Sequence, residues 1–464
     1  MLYFPAPKTV TGEDVLELHI HGGPAIVSAV LKAIGQCNSA SVPVRYAEPG
    51  EFTRRAFMND RIDLTKVEAL GDTLSAVTEE QRRLSVQGTV SGLATRYESW
   101  RQILLAARGE LEALIDFSED QHFDESPAVL AQSVASQVRS LRTLIQYHCE
   151  NAVRGELLRN GISLSLIGSP NVGKSSLLNQ IVGRNAAIVS AEAGTTRDIV
   201  EVGIDLGGFF CRLGDTAGLR GIKQNELTEI MHDVIGEVEK EGIRRAKQKA
   251  LQSDVVVLVL SIETDANTQA ADLRMEAEVV ETAKELLDAG KNMIVVVNKV
   301  DKLLDINTST ISDITGIVNS ALPTVKDEAI FCISCQDGSR SASTSDHDPG
   351  NIQTFTTGLI DIFRKMTNPL SPQAADQDAS MWQESLGATE RQRALLVECS
   401  SHLQAFLDQV GVADPEPSEP GEEADFDIVV AAESLRVAAE CLAKLTGRGE
   451  AGDVEEVLGV VFEK

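Results

Sequence analysis

Gly168-Ser-Pro-Asn-Val-Gly173-Lys174-Ser175 is the stretch that decides the fold of this 464-residue chain. Its spacing is G-x-x-x-x-G-K-[ST]. It lies between ISLSLI (162–167), which reads as a strand, and Ser176–Ile181, which reads as a helix. Glycines at these places let the backbone wrap the β- and γ-phosphates of a nucleotide, and the N–H groups opening the helix then face the anion. Lys174 adds a positive charge against those phosphates, and the Ser175 hydroxyl can reach Mg²⁺. Phosphate contacts are therefore expected from Asn171, Val172, Gly173, Lys174, Ser175 and Ser176.

Further elements follow in the order a nucleotide requires. Gly194-Thr195-Thr196-Arg197-Asp198 can offer a hydroxyl to the metal. Asp215-Thr216-Ala217-Gly218 follows the apolar run Phe209–Leu213. Its Asp can hold Mg²⁺ through water, and Gly218 can bring the backbone to the γ-phosphate. Asn298-Lys299-Val-Asp301 follows the strand Met293–Val297, and a carboxylate at Asp301 can accept both N1–H and N2–H of guanine, which adenine cannot supply. Ser334-Cys335, ending the strand Ile330–Ser334, can meet guanine O6. The series implies GTP rather than ATP and resembles the translation-factor-related GTPases. Where many small GTPases carry a water-orienting Gln after this DTAG-type element, the chain has Leu219, so hydrolysis is either slow or served by another residue. The Asn171 amide oxygen could ligate a monovalent cation beside the phosphates. A K⁺ there would neutralise charge that develops between the β- and γ-phosphates.

The surroundings set the architecture. Strands at 162–167, Val255–Leu260, Met293–Val297 and Ile330–Ser334 alternating with helices predict a parallel, doubly wound α/β sheet. On either side, apolar residues recur at three- and four-residue spacing, through 62–78, 84–116 and 128–158 and again at Leu435, Ala438, Ala439, Leu442 and Leu445. A multidomain chain is expected: a partial α+β domain at 1–58, a helical domain at 59–159 and 369–464, and a P-loop GTPase domain at 160–368 inserted into it. Residues 221–236, 336–351 and 413–427 read as solvated insertions, the last rich in Asp, Glu and Pro with no Lys or Arg. No apolar run approaches the ~18 residues of a membrane span. The opening MLYFPAPKTV has neither the basic and apolar regions of a secretory signal nor the Arg content of a transit peptide.

Seventy Asp and Glu against 42 Lys and Arg give a formal charge of −28, which makes the chain a poor generic binder of nucleic acid. Any RNA substrate must be held by a local patch or a partner. Seven cysteines, an odd number, fit a reducing compartment. Cys332-Ile-Ser-Cys335 matches C-x-x-C but has no second pair to complete a zinc site, and its place already serves the base loop. His19 and His21 stand two apart, as metal ligands on one face of a strand would, although turn and packing roles are the simpler reading.

Taken together, TGEDVLELHIHGGP (11–24), EPGEFTRRAFMNDRIDL (48–64), GSPNVGKSSLLN (168–179), AIVSAEAGTTRD (187–198), DTAGLR (215–220), EVEKEGIRRA (237–246) and NKVD (298–301) resemble the MnmE/TrmE tRNA-modification GTPases, whose members include mitochondrial proteins. The resemblance runs over nearly the whole chain. It implies a K⁺ site at Asn171, Ser190, Glu192 and Thr195, Mg²⁺ at Ser175 and Thr196, and a water-orienting acid at Glu239, which with Lys174 would be catalytic. It further implies a homodimer, assembled through K⁺-dependent pairing of the GTPase domains. An FAD-dependent partner of the MnmG/GidA type and a tRNA held mainly by that partner are also implied. The product would be a 5-carboxymethylaminomethyl- or taurinomethyl-type wobble uridine, its one-carbon unit coming from a 5-formyl-tetrahydrofolate-type folate. Glu17 and Arg61 match two folate-site positions, with Arg in place of the family's Lys. The chain is expected to be truncated at both ends, before the family's folate-site Arg and after Lys464, where a Cys-x-Gly-Lys tail would follow. Mitochondrial location is expected, with the cytoplasm as alternative.

Two other readings stay open. One is an Era-like ribosome-assembly GTPase, which also carries an Asn in its phosphate loop but should append a basic RNA-binding domain that these acidic flanks do not resemble. The other is a GTP-binding interaction module inactive in modification.

Overall fold

The structure is a computed structural model that describes residues 1–40, 43–90, 92–117, 127–184, 186–191, 202–214, 247–264, 271–303, 308–340, 348–372, 379–410 and 427–447. The chain divides into two compact units, one of residues 1–76, 82–156 and 369–464, the other of residues 77–81 and 157–368.

The first unit opens with β1 (Leu2–Phe4) paired antiparallel to β2 (Val15–Glu17). Then come α1 (Pro24–Gln36), α2 (Glu51–Met58), α3 (Leu64–Ser75), α4 (Glu79–Val90), α5 (Leu93–Phe117) and α6 (Pro127–Asn160). β2 ends at Glu17 in the register Leu2↔Glu17, so His19 and His21 lie outside the strand. His19 instead places Nε2 3.3 Å from Glu17 Oε2.

Buried residues follow helical stripes. Leu93, Tyr97, Leu104 and Leu111 on α5 and Val134, Val138, Leu141 and Ile145 on α6 recur every three, four or seven positions. They form one core with Leu396, Leu403 and Phe406 and with Leu435, Ala438, Leu442 and Leu445, from helices after residue 369. Buried polar groups specify the fit. Glu68 accepts from Arg391 Nε at 2.7 Å and from the Gln392 amide, while the Thr389 hydroxyl caps that helix by accepting from Gln392 N. A Cβ on Gly155 would lie 1.8 Å from the Leu386 carbonyl oxygen, so only glycine allows α6 that approach.

The second unit holds an eight-stranded sheet in the order β10-β9-β7-β3-β6-β5-β4, with β8 on β7. The strands are β3 (Ile162–Ile167), β4 (Ala186–Ala191), β5 (Val202–Leu206), β6 (Phe209–Leu213), β7 (Val255–Thr264), β8 (Ala271–Arg274), β9 (Asn292–Asn298) and β10 (Ile330–Cys332). Pairing is parallel from β10 through β6; β4, β5 and β8 add antiparallel edges that the sequence reading did not separate. Interspersed helices are α7 (Lys174–Arg184), α8 (Ala277–Asp288), α9 (Thr308–Ala321), α10 (Cys335–Arg340) and α11 (Ile352–Thr367). The first unit ends with α12 (Ala379–Ser385), α13 (Glu390–Gln409) and α14 (Ile428–Leu445).

Alternation explains the two apolar layers. Val255, Val257, Val259, Ile294 and Val296 face one core, while Val256, Leu258, Leu260, Val295 and Val297 face the other. A strand buried on both faces needs an unbroken apolar run, which β7 and β9 supply. Residues 336–351 are not the solvated insertion that their composition suggests, within the part described. Cys335–Arg340 is helical, and Asp348 caps α11 by accepting from Gln353 N and Thr354 N at 2.8 Å each. Residues 221–236 and most of 413–427 lie outside the described residues, and among those described no helix is long and apolar enough to cross a membrane.

A buried histidine gives the first unit a pH signature. His148 is fully buried, its ring edge-on to Trp100 at 4.9 Å and to Trp382 at 6.3 Å, and among the described residues neither ring nitrogen has a hydrogen-bond partner. Burial first, and the Arg96 charge second, pull its pKa from the ordinary 6.5 to about 3. The unfolded chain therefore binds a proton that the native state refuses, and the associated stability is full above the ordinary value and lost as pH falls toward the native one. Urea unfolding followed by tryptophan fluorescence should show the wild type losing more stability than His148→Leu between about pH 7 and pH 4; equal losses would contradict the assignment.

Candidate nucleotide-binding site

The C-terminal ends of β3, β9 and β10 meet along one edge of the second unit's sheet, with β3 at the place where chain order reverses between β7 and β6. Open α/β sheets bind ligands in that crevice. The loop after β3 is built by three unusual backbone conformations. Gly168 has φ +149°, Asn171 +61° and Gly173 +102°. A Cβ on Gly168 would lie 2.2 Å from the Val259 carbonyl oxygen, and one on Gly173 would lie 2.1 Å from Asn298 Nδ2. Asn171 takes the left-handed region that Asn tolerates better than most residues, and it is exposed. α7 then starts at Lys174, with Ser175 and Ser176 exposed in its first turn, where helix N–H groups lack intrahelical acceptors. Lys174 Nζ donates to the carbonyls of Gly168 and Ser169, each at 2.7 Å, which lays its ammonium along the loop.

One buried side chain joins the phosphate loop to the base loops. Asn298, 2% exposed at the end of β9, donates from Nδ2 to the Val172 carbonyl at 2.9 Å and accepts at Oδ1 from Cys335 N–H at 3.2 Å. Lys299 follows in the left-handed region at φ +65°, its Nζ 3.9 Å from Glu263 Oε1. Asp301 is half-buried, and its Oδ1 accepts from Ser334 Oγ at 2.7 Å.

Three residues read as nucleotide contacts bond to protein groups here. Asn298 positions the loops and presents no exposed group to a ligand. The N–H of Cys335 is taken by Asn298, and that of Ser334 by the Gly350 carbonyl at 3.0 Å, so neither is free for guanine O6. The Cys335 thiol is pushed up to about 11, by burial first and the Asp301 charge second, which keeps it protonated near neutral pH. Gly350 was not visible as a site residue. Its φ is +77°, and a Cβ there would lie 2.1 Å from the Ser334 carbonyl oxygen, so the Asp348-Pro-Gly-Asn turn fixes the base loop. The Asp-Pro-Gly-Asn sequence is itself a turn signal.

Other candidates stand apart or out of view. Ser190 pairs with Gly203 near the end of β4. Glu192, Thr195, Thr196, Asp215, Thr216, Ala217, Gly218 and Glu239 lie outside the described residues. Arg61 donates from Nε to the Thr9 carbonyl at 2.9 Å and lines a cleft with Phe57, Asp63, Lys66 and Gly447; Glu17 is not part of that lining. Oxygen donors at Asn171 and Ser175 suit K⁺ and Mg²⁺ respectively.

Asn298→Ala should remove both bridging bonds and leave two buried backbone groups short of a partner. It should weaken guanine nucleotide binding by about 2 kcal/mol, roughly thirtyfold. Titration with a fluorescent GDP analogue measures this, and an unchanged affinity would remove the bridge from the account.

Comparison with known proteins shows the family. Residues 64–464 match the family described as "MnmE helical domain", and residues 1–61 match "GTP-binding protein TrmE N-terminus". The chain is 35% identical over 464 residues to the tRNA modification GTPase MnmE of Paramagnetospirillum magneticum, covering 100% of this chain and 85% of that one. It is 35% identical over 468 residues to the tRNA modification GTPase mss1, mitochondrial, of Schizosaccharomyces pombe, covering 100% and 82%. The 5-taurinomethyluridine-[tRNA] synthase subunit GTPB3, mitochondrial, of Homo sapiens is 34% identical over 464 residues, covering 100% and 80%. Among solved structures, a probable GTP-binding protein engB aligns at 17% identity and a TM-score of 0.28 over 44% of this chain and 99% of that chain, too distant to add to the assignment. The chain belongs to the MnmE/TrmE family of tRNA modification GTPases and is a GTP-hydrolysing enzyme.

Proposed function

We propose that this chain hydrolyses GTP, with K⁺ and Mg²⁺, as one subunit of a complex that modifies the wobble uridine of tRNA. The observation that carries the GTP site is the Asn298 bridge, which holds the glycine-bent phosphate loop and the Asp301–Ser334 pair at one sheet edge. In this reading Lys174 releases the Gly168 and Ser169 carbonyls to meet the β- and γ-phosphates, and the N–H groups opening α7 hold the phosphate oxygens. Asp301 accepts the two guanine N–H groups, its geometry set by Ser334. Ser175 and Thr196 would hold Mg²⁺; Asn171, Ser190, Glu192 and Thr195 would hold K⁺. Those ions supply positive charge where the transition state accumulates negative charge. Leu219 offers no polar group, so the attacking water is oriented by Glu239.

The wider role is read from the family. The relatives named above act in tRNA modification, and the product class proposed is a 5-carboxymethylaminomethyl- or taurinomethyl-type uridine. The chain works as a homodimer with an FAD-dependent partner, which carries most of the tRNA because a net charge of −28 disfavours direct phosphate contact. Two of the relatives compared above carry the word mitochondrial in their names, and a mitochondrial location is proposed on that ground. The Era-like alternative lacks support, since the family match runs through the helical flanks to residue 464.

GTPase assays in K⁺ and in Na⁺ test the mechanism. The wild type should turn over at least about tenfold faster in K⁺. Asn171→Gly keeps access to the left-handed backbone but removes the amide, so it should lose the K⁺ advantage and retain nucleotide affinity in Na⁺. Equal rates in the two salts would overturn the K⁺ site. Glu239→Ala should slow turnover by about 100-fold or more with nucleotide affinity kept, and a normal rate would reassign the water-orienting role.

A further inference from the structure

A second cluster of ligating atoms lies in the helical unit. Glu398 and His402 are one turn apart on α13, which sets both side chains on one face of that helix. Cys441 comes from α14 and is only 3% exposed, within the core that the two helices share. The Glu398 carboxylate, an imidazole nitrogen of His402 and the Cys441 sulfur all lie within 4.8 Å of one another. His402 is half-buried and Glu398 exposed, so the sulfur sits on the inner side of the cluster and the carboxylate on the solvent side.

We propose that Glu398, His402 and Cys441 bind a borderline-soft divalent cation of the Zn²⁺ class. Three donors about 3.5 Å apart complete three corners of a tetrahedron around Zn²⁺, given metal–sulfur and metal–nitrogen distances near 2.3 and 2.0 Å, and a fourth corner stays open to water. Separations within 4.8 Å reach that geometry by small side-chain rotations. A mixed oxygen, nitrogen and sulfur set favours Zn²⁺ over Mg²⁺ or Ca²⁺, which need more oxygen ligands. Binding is a coordination step without redox change: the Cys441 S–H bond breaks, its proton leaves to solvent, and a metal–sulfur bond forms. The ion would tie α13 to α14, which residues 410–427 separate along the chain, and so would clamp one corner of the helical core.

Cd²⁺ titration of the reduced full-length protein tests this, since cadmium thiolates absorb in the ultraviolet. The expected result is a charge-transfer band that saturates at one Cd²⁺ per chain and is lost in Cys441→Ser. Binding should be at least about tenfold weaker in His402→Gln, a half-buried change that leaves the core intact. Zn²⁺ should compete for the site and raise the thermal midpoint of the wild type but not of His402→Gln. Cys399→Ala, which alters a buried thiol of the same helix outside the cluster, should keep the band. Absence of a saturable band, or a band that survives Cys441→Ser, would overturn the proposal.

Discussion

The two hydrogen bonds of Asn298 are the constraint on which the nucleotide site depends. A buried amide has to satisfy both its donor and its acceptor, and here each finds a backbone group from a different loop. The Val172 carbonyl fixes the phosphate loop, and the Cys335 N–H fixes the turn beyond β10. Because Nδ2 fills the space where a Gly173 Cβ would go, the glycine and the asparagine require each other. The consequence reaches the base: Ser334 precedes Cys335 and holds the Asp301 carboxylate that would read guanine. The candidate nucleotide site is thus a set of loops tied through one polar side chain.

The sheet beneath makes that tie possible. β3, β7, β9 and β10 run parallel, so their loops emerge at one edge, and apolar residues on both faces bury the strands that present them. The Asp348-Pro-Gly-Asn turn adds a third anchor, through the Gly350 carbonyl to Ser334 and through the Asp348 carboxylate to the first turn of α11. The helical unit relies on different physics. Its long amphipathic helices meet through stripes at three- and four-residue spacing, with Glu68, Arg391 and Gln392 as the polar lock.

Much of this was legible in the residues. The phosphate loop, the strand positions at 162–167 and 293–297, and the buried stripe Leu435, Ala438, Ala439, Leu442 and Leu445 follow from spacing alone, because glycine geometry and amphipathic periodicity are local properties. What escaped the sequence depended on partners far along the chain. Asn298, Ser334 and Cys335 were read as nucleotide contacts, yet Asn298 bonds the Cys335 N–H from 37 residues away and the Ser334 N–H bonds the Gly350 carbonyl. His19 and His21 lie beyond the end of β2 at Glu17, in keeping with the turn and packing roles read for them. Ser, Asp and Gly around residue 340 suggested a solvated loop, although Asp348 caps α11 and the Gly350 carbonyl accepts from the Ser334 N–H.

The central claim is that Asp301, held by Ser334, reads the base in a pocket tied to the phosphate loop. Exchanging its carboxylate for an amide leaves the shape and replaces one acceptor by a donor. The direct measurement is the affinity of Asp301→Asn for GDP and for xanthosine diphosphate, whose C2 oxygen replaces the guanine amino group. The account predicts that GDP binding falls by at least about tenfold while xanthosine diphosphate binding rises, reversing the preference of the wild type. A variant that still prefers GDP as the wild type does would contradict it.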